Sequence, residues 1–160
     1  MKAKKIPLIA LALAAGIMSS SAIAQTRYFS FVTANHPQAG MDATTFGAHE
    51  FVIAADPILA RQIESIIHYS DLHRGLVHVQ GKIVRGRVAY NEEYPFHLDP
   101  DSITLFKDGA KQCDASAFEV EDNIERVGVP NSGFLADGHW CPHSSRFIRE
   151  IIYPFPSAHR

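Results

Sequence analysis

Residues 50–68 read EFVIAADPILARQIESIIH, and this stretch decides the fold class. Its first part, Glu50 to Ala55, is short and rich in Phe and Val, the composition of a strand. The rest predicts a helix. Asp56 can cap the free amides and Pro57 suits the first helical position. Leu59, Ile63, Ile66 and Ile67 then recur at i, i+4, i+7 and i+8, which makes one apolar stripe. The helix is expected to end near His68 or Tyr69, before Gly75.

Working outward, Tyr28 to Thr33 reads as a second strand. Ala34 to His49 between the two is a long polar loop with Pro37, Gly40 and Gly47, and loops of this length often carry function. Beyond the helix, Leu76 to Tyr90 predicts a long strand or hairpin. Val77, Val79 and Ile83 share one face and Val84, Val88 and Tyr90 the other, so Gly81 and Gly86 are the expected sites of a bulge. Ile103 to Phe106 is a short strand before a Lys107-Asp108-Gly109 turn. Ser116 and Glu119 form a capping box for a second helix, with Val120, Ile124 and Val127 on its buried face and Gly128 and Pro130 at its end. Ser145 to Tyr153 alternates as a strand, and Pro154 and Pro156 close the fold. Strands outnumber two modest helices. The expectation is a single small α+β domain with a mainly antiparallel sheet, two short helices and one disulfide.

The chain has 160 residues, and its start reads as an export leader. Lys2, Lys4 and Lys5 precede an apolar run from Ile6 to Met18, and Ala22-Ile23-Ala24 is a small-x-small cleavage site. Residues 1–24 are therefore expected to be a signal peptide and 25–160 the globular domain, secreted or periplasmic. Removing three lysines and no acid leaves 12 basic against 17 acidic residues, a net −5 with neutral histidines. That balance argues against nucleic acid and anionic membranes as partners. No later stretch approaches a transmembrane length. All nine histidines lie beyond the leader, so the charge responds to pH between about 5 and 8.

Only two cysteines are present, Cys113 and Cys141. In an exported chain the default is that they pair. The 29 residues so enclosed would contribute about 3.5 kcal/mol in the chain-entropy picture. Two other chemistries compete. One is a reactive thiol activated by a histidine. The other is a zinc set of Cys113, Cys141, His139 and His143, whose spacing is not that of a zinc finger. Trp140, between His139 and Cys141, is otherwise an anchor over the cystine. His97 and Asp99, with Ser144-Ser145, offer the elements of a hydrolytic triad, but no Gly-x-Ser-x-Gly elbow accompanies them. Asp99-Pro100-Asp101-Ser102 also reads as a plain turn. Arg146 and Glu150 would share a face of the last strand as a structural lock, or Arg146 could capture an anion.

Tyr90-Asn91, Phe96 to Ile103, Cys113-Asp114-Ala115, Val120 to Asn123 and Trp140-Cys141-Pro142 followed by Ser144-Ser145-Arg146 and Glu150 form a specific string. It resembles a small domain family named after the N-terminal domain of a calmodulin-binding protein, over about Tyr28 to Ile152. His143 stands where the family pattern has a second tryptophan, and the run around Tyr94 lacks another. The resemblance implies no catalytic residue. An exported bacterial-type product would not meet calmodulin, so the family name carries no function across. The expected function is an exported, disulfide-stapled binding or interaction domain for a protein or small-molecule ligand, without a cofactor. Its expected surface is His97, Asp99, Trp140, His143 and Arg146 around the cystine. The alternatives are a hydrolase using His97 and Asp99, or a protease inhibitor presenting the loop 34–49.

Overall fold

The computed structural model describes residues 25–33, 50–68, 76–107 and 111–152. Two antiparallel sheets face a common aromatic core. In the first, β1 (Arg27–Val32) lies between β2 (Phe51–Ala55) and β7 (Arg146–Ile151). In the second, β3 (His78–Arg85) pairs with β4 (Phe96–Leu98), β5 (Thr104–Phe106) and β6 (His139–Trp140). Helix α1 (Pro57–His68) packs on β1 and β7, and α2 (Ala117–Asp122) follows the first half-cystine. The α+β domain of antiparallel sheets with two helices and one disulfide is the architecture expected from the sequence.

Local chemistry explains most boundaries. Asp56 Oδ1 accepts from Ile58 N at 2.7 Å and Leu59 N at 2.8 Å, so α1 starts at Pro57. Its Leu59, Ala60 and Ile63 are buried. Ser116 accepts from Glu119 N while Glu119 accepts from Ser116 N, a complete capping box. The helix it opens is shorter than its apolar pattern implied. It yields after Asp122 to a 3₁₀ turn over Ile124–Arg126, and the chain turns at Gly128 with φ of 73°.

The core centres on Phe51. Its ring lies 5.3 Å from Phe31, 5.0 Å from Tyr94, 5.1 Å from Phe96 and 5.1 Å from Trp140. Aromatic pairs at such spacing contribute beyond the area they bury. Rings from β1, β2, β4 and β6 thereby join the two sheets.

Two strand expectations need correction. Residues 76–90 are not one bulged strand. β3 ends at Arg85, Gly86 takes a φ of 117°, and Gly81 stays in register opposite Trp140. Gly81 is required by close approach instead. A Cβ there would lie 3.3 Å from Leu98 Cδ1 and 3.3 Å from Ser102 Oγ. In β7, the pairing shifts between Ser30 and Phe31, leaving Ile148 as an extra residue. The simple alternation is lost, and Arg146 and Glu150 no longer share a face. Glu150 instead takes two bonds from Arg27, which also binds Glu64 of α1 at 3.1 Å. The Arg27 guanidinium holds both carboxyls below the usual carboxylate range. The loop 34–49, the leader and the tail from Tyr153 lie outside the described residues.

Candidate functional site

The cystine joins Cys113 to Cys141 with Cα atoms 5.1 Å apart, and Cys141 N donates to Cys113 O at 2.8 Å. Both thiols are consumed. The reactive-thiol reading and the Cys2His2 zinc set are therefore corrected: neither sulfur is available as a nucleophile or a ligand. Among the described residues, no group of three or more His, Cys, Asp or Glu could hold a metal ion.

Trp140 is fully buried. Its indole Nε1 donates to Ala115 O at 2.9 Å, and its ring packs on Phe31, Phe51 and Phe96. It is an anchor, as the plainer reading had it, but of the aromatic core. It has no surface to offer a ligand.

His143 lies at one end of β3. Its ring meets Phe106 at 5.1 Å and stacks on His78 at 6.1 Å, while its main-chain N donates to Asp114 Oδ1. Its Nε2 is buried and has no hydrogen-bond partner among the described residues. His78 in turn bonds through Nδ1 to Ser145 O at 3.0 Å, and Ser145 Oγ accepts from Val79 N. His97 lies at the other end, opposite Val84, with Nδ1 2.9 Å from Gly86 O. The two ends are six residues apart, about 20 Å along a strand. Asp99 caps the 3₁₀ turn over Pro100–Ser102, accepting from Asp101 N at 3.2 Å. Arg146 is exposed at the start of β7. The five residues thus divide among three places and do not converge on the cystine. The serine, histidine and aspartate of the supposed triad each serve a separate local bond.

A large open hollow lies elsewhere, between α1 and β5. It is a cleft of about 780 Å³, within the range of ligand sites. Ile58, Leu59 and Ile66 of the helix face Ile103 and Leu105 across it, with Arg61, Gln62, Ser65 and Thr104 as its polar members. Ile58 is 63% exposed, although it is a large aliphatic side chain. Arg61 has no ion-pair partner among the described residues. Asp56, at the cleft's end, is occupied with its helix cap. Reading α1 only for its buried stripe overlooks this wall. The signal was a second series, Ile58, Gln62 and Ser65, at i, i+4 and i+7, with an apolar member outside the stripe.

A smaller hollow of about 240 Å³ is lined by Glu93, Tyr94, Phe118 and Glu121. Burial pushes the Tyr94 hydroxyl well above its usual range, and the two carboxylates add to the rise. At neutral pH it remains a neutral phenol.

A family model, that of the N-terminal domain of a calmodulin-binding protein, matches residues 37–154. The chain belongs to that N-terminal domain family. No curated protein and no solved structure matches it. This membership agrees with the resemblance drawn from the Cys113 and Trp140-Cys141-Pro142 segments. Those segments form the fastener and core of the domain, so the family string is a string of architecture.

Proposed function

We propose that the protein is an exported, disulfide-stapled binding module whose ligand occupies the cleft between α1 and β5. The observation that carries this is the cleft itself. It is a hollow of about 780 Å³ with an apolar floor, an exposed Ile58 and an arginine without a counter-charge among the described residues. Large aliphatic side chains held open beside a few polar groups are the makings of a ligand site. The leader pattern at residues 1–24 and the oxidised cysteines support export. No catalytic role is assigned, because His97, Asp99 and Ser145 are engaged separately in local bonds.

Two experiments test the reading. Expression with the native leader in a bacterial host should give a product that begins at Gln25 and leaves the cytoplasm. Retention of Met1 in a cytoplasmic product contradicts export. Titrating the isotopically labelled domain with a small-fragment collection should shift the amides of residues 58–66 and 103–105. An Ile58→Asp variant, folded as before, should lose those shifts. Shifts confined to another surface remove the cleft from the account.

A further inference from the structure

We infer that the cleft takes an extended peptide from another protein, which adds to the free edge of β5 as a strand and places an acidic side chain at Arg61. This rests on the cleft being the binding site and names its ligand class.

The first observation is the pairing of β5. Thr104 faces Gln80 and Phe106 faces His78, while Leu105 faces Val79. Val79 turns its main-chain N away from β5, since it donates to Ser145 Oγ. Val79 and Leu105 are therefore the non-bonded pair of the ladder, and Leu105 directs its own N–H and C=O outward. Among the described residues, β5 pairs with β3 alone and no other main chain meets Leu105. An exposed edge of this kind is a template for another strand.

The second observation is what that edge borders. Ile103, Thr104 and Leu105 line the same cleft as the outer wall of α1. A strand laid between an edge and a helix gains main-chain bonds from the edge and side-chain contacts from the helix. Alternate side chains of the peptide would point to Ile58 and Ile66, as the twofold period of a strand requires. A small rigid ligand would gain nothing from the outward Leu105 groups.

The third observation is charge. Arg61 is exposed on the wall and lacks an ion pair among the described residues, whereas Arg27, Arg85 and Arg149 are each matched to a glutamate. An acidic side chain on the peptide complements it and sets the direction in which the strand lies.

The test is to pan the mature, oxidised domain with a phage-displayed library of random hexapeptides, then synthesise the enriched sequences and measure their affinity. Enriched peptides should carry apolar residues at alternate positions and one acidic residue. Methylating the single backbone nitrogen that meets Leu105 O should weaken binding at least tenfold, with neighbouring positions tolerant. Arg61→Glu should weaken it at least tenfold, and a lysine in place of the peptide's acid should restore binding to that variant. Selected peptides that ignore backbone methylation, or bind Arg61→Glu unchanged, overturn the inference. So does a selection that yields no binder while small fragments still shift the cleft amides, and that result leaves the cleft standing as a site for other ligands. Loss of both peptide and fragment binding removes the cleft altogether.

Discussion

The corner around the cystine and the cleft beside α1 differ in what their residues are already doing. The corner holds the chain's rarest side chains: both cysteines, the single tryptophan, and a stacked pair of histidines. Yet the cysteines bond to each other, Trp140 is sealed in the core, and His78 is tied to Ser145 O. The cleft is built from ordinary residues, and there the aliphatic Ile58, the cation of Arg61 and the outward groups of Leu105 stay uncommitted among the described residues. Chemical rarity in a sequence marks what is costly to replace. Availability marks what can bind, and it emerges only once partners are assigned.

Substitutions should separate the two regions sharply. Trp140→Ala or Phe51→Ala removes a ring from the junction between the sheets and should cost about 3–5 kcal/mol in chemical denaturation. A loss below about 1 kcal/mol would place these rings outside the core. Replacing both cysteines by serine should cost about 2–4 kcal/mol, and reduction of the native protein should reproduce that loss. Gly81→Ala should cost about 1–3 kcal/mol, because its methyl group meets Leu98 and Ser102 at 3.3 Å. A neutral result there would mean that β4 and the 3₁₀ turn can shift at no cost.

The smallest effect concerns Arg27. Its bonds depress the Glu64 and Glu150 carboxyls in the folded state. A depressed carboxyl contributes stability above its unfolded value of about 4.5, and that contribution fades as pH falls through the folded one. Acid titration of stability should therefore fall below about pH 4.5, and Arg27→Met should flatten that slope. An unchanged slope would assign the acid sensitivity to other groups.

The contrast between the regions also explains what could be read from the residues alone. Asp56, Pro57 and the capping box at Ser116 act within a few residues of themselves, so their helices were legible. The two cysteines announced their pairing through compartment and number. Gly81 was legible as special but not for its reason, because its close neighbours Leu98 and Ser102 come from another strand and its turn. The bulge at Ile148 depends on where β1 pairs, and it alone undid the match of Arg146 with Glu150. His97 and His143 seemed joined through the cystine, but the length of β3 holds them about 20 Å apart. The cleft was illegible for the same reason: one wall is the outer side of α1 and the other is the edge of a strand some 40 residues later.

The most direct measurement compares the two regions in one assay. Ile58→Asp and His143→Ala both alter residues outside the fully buried core, and each folded variant can be titrated with the same fragments while amide shifts are followed. The account predicts that Ile58→Asp abolishes the shifts at residues 58–66 and 103–105, and that His143→Ala leaves them intact. Shifts that survive Ile58→Asp but vanish with His143→Ala would return the site to the cystine corner and contradict the account.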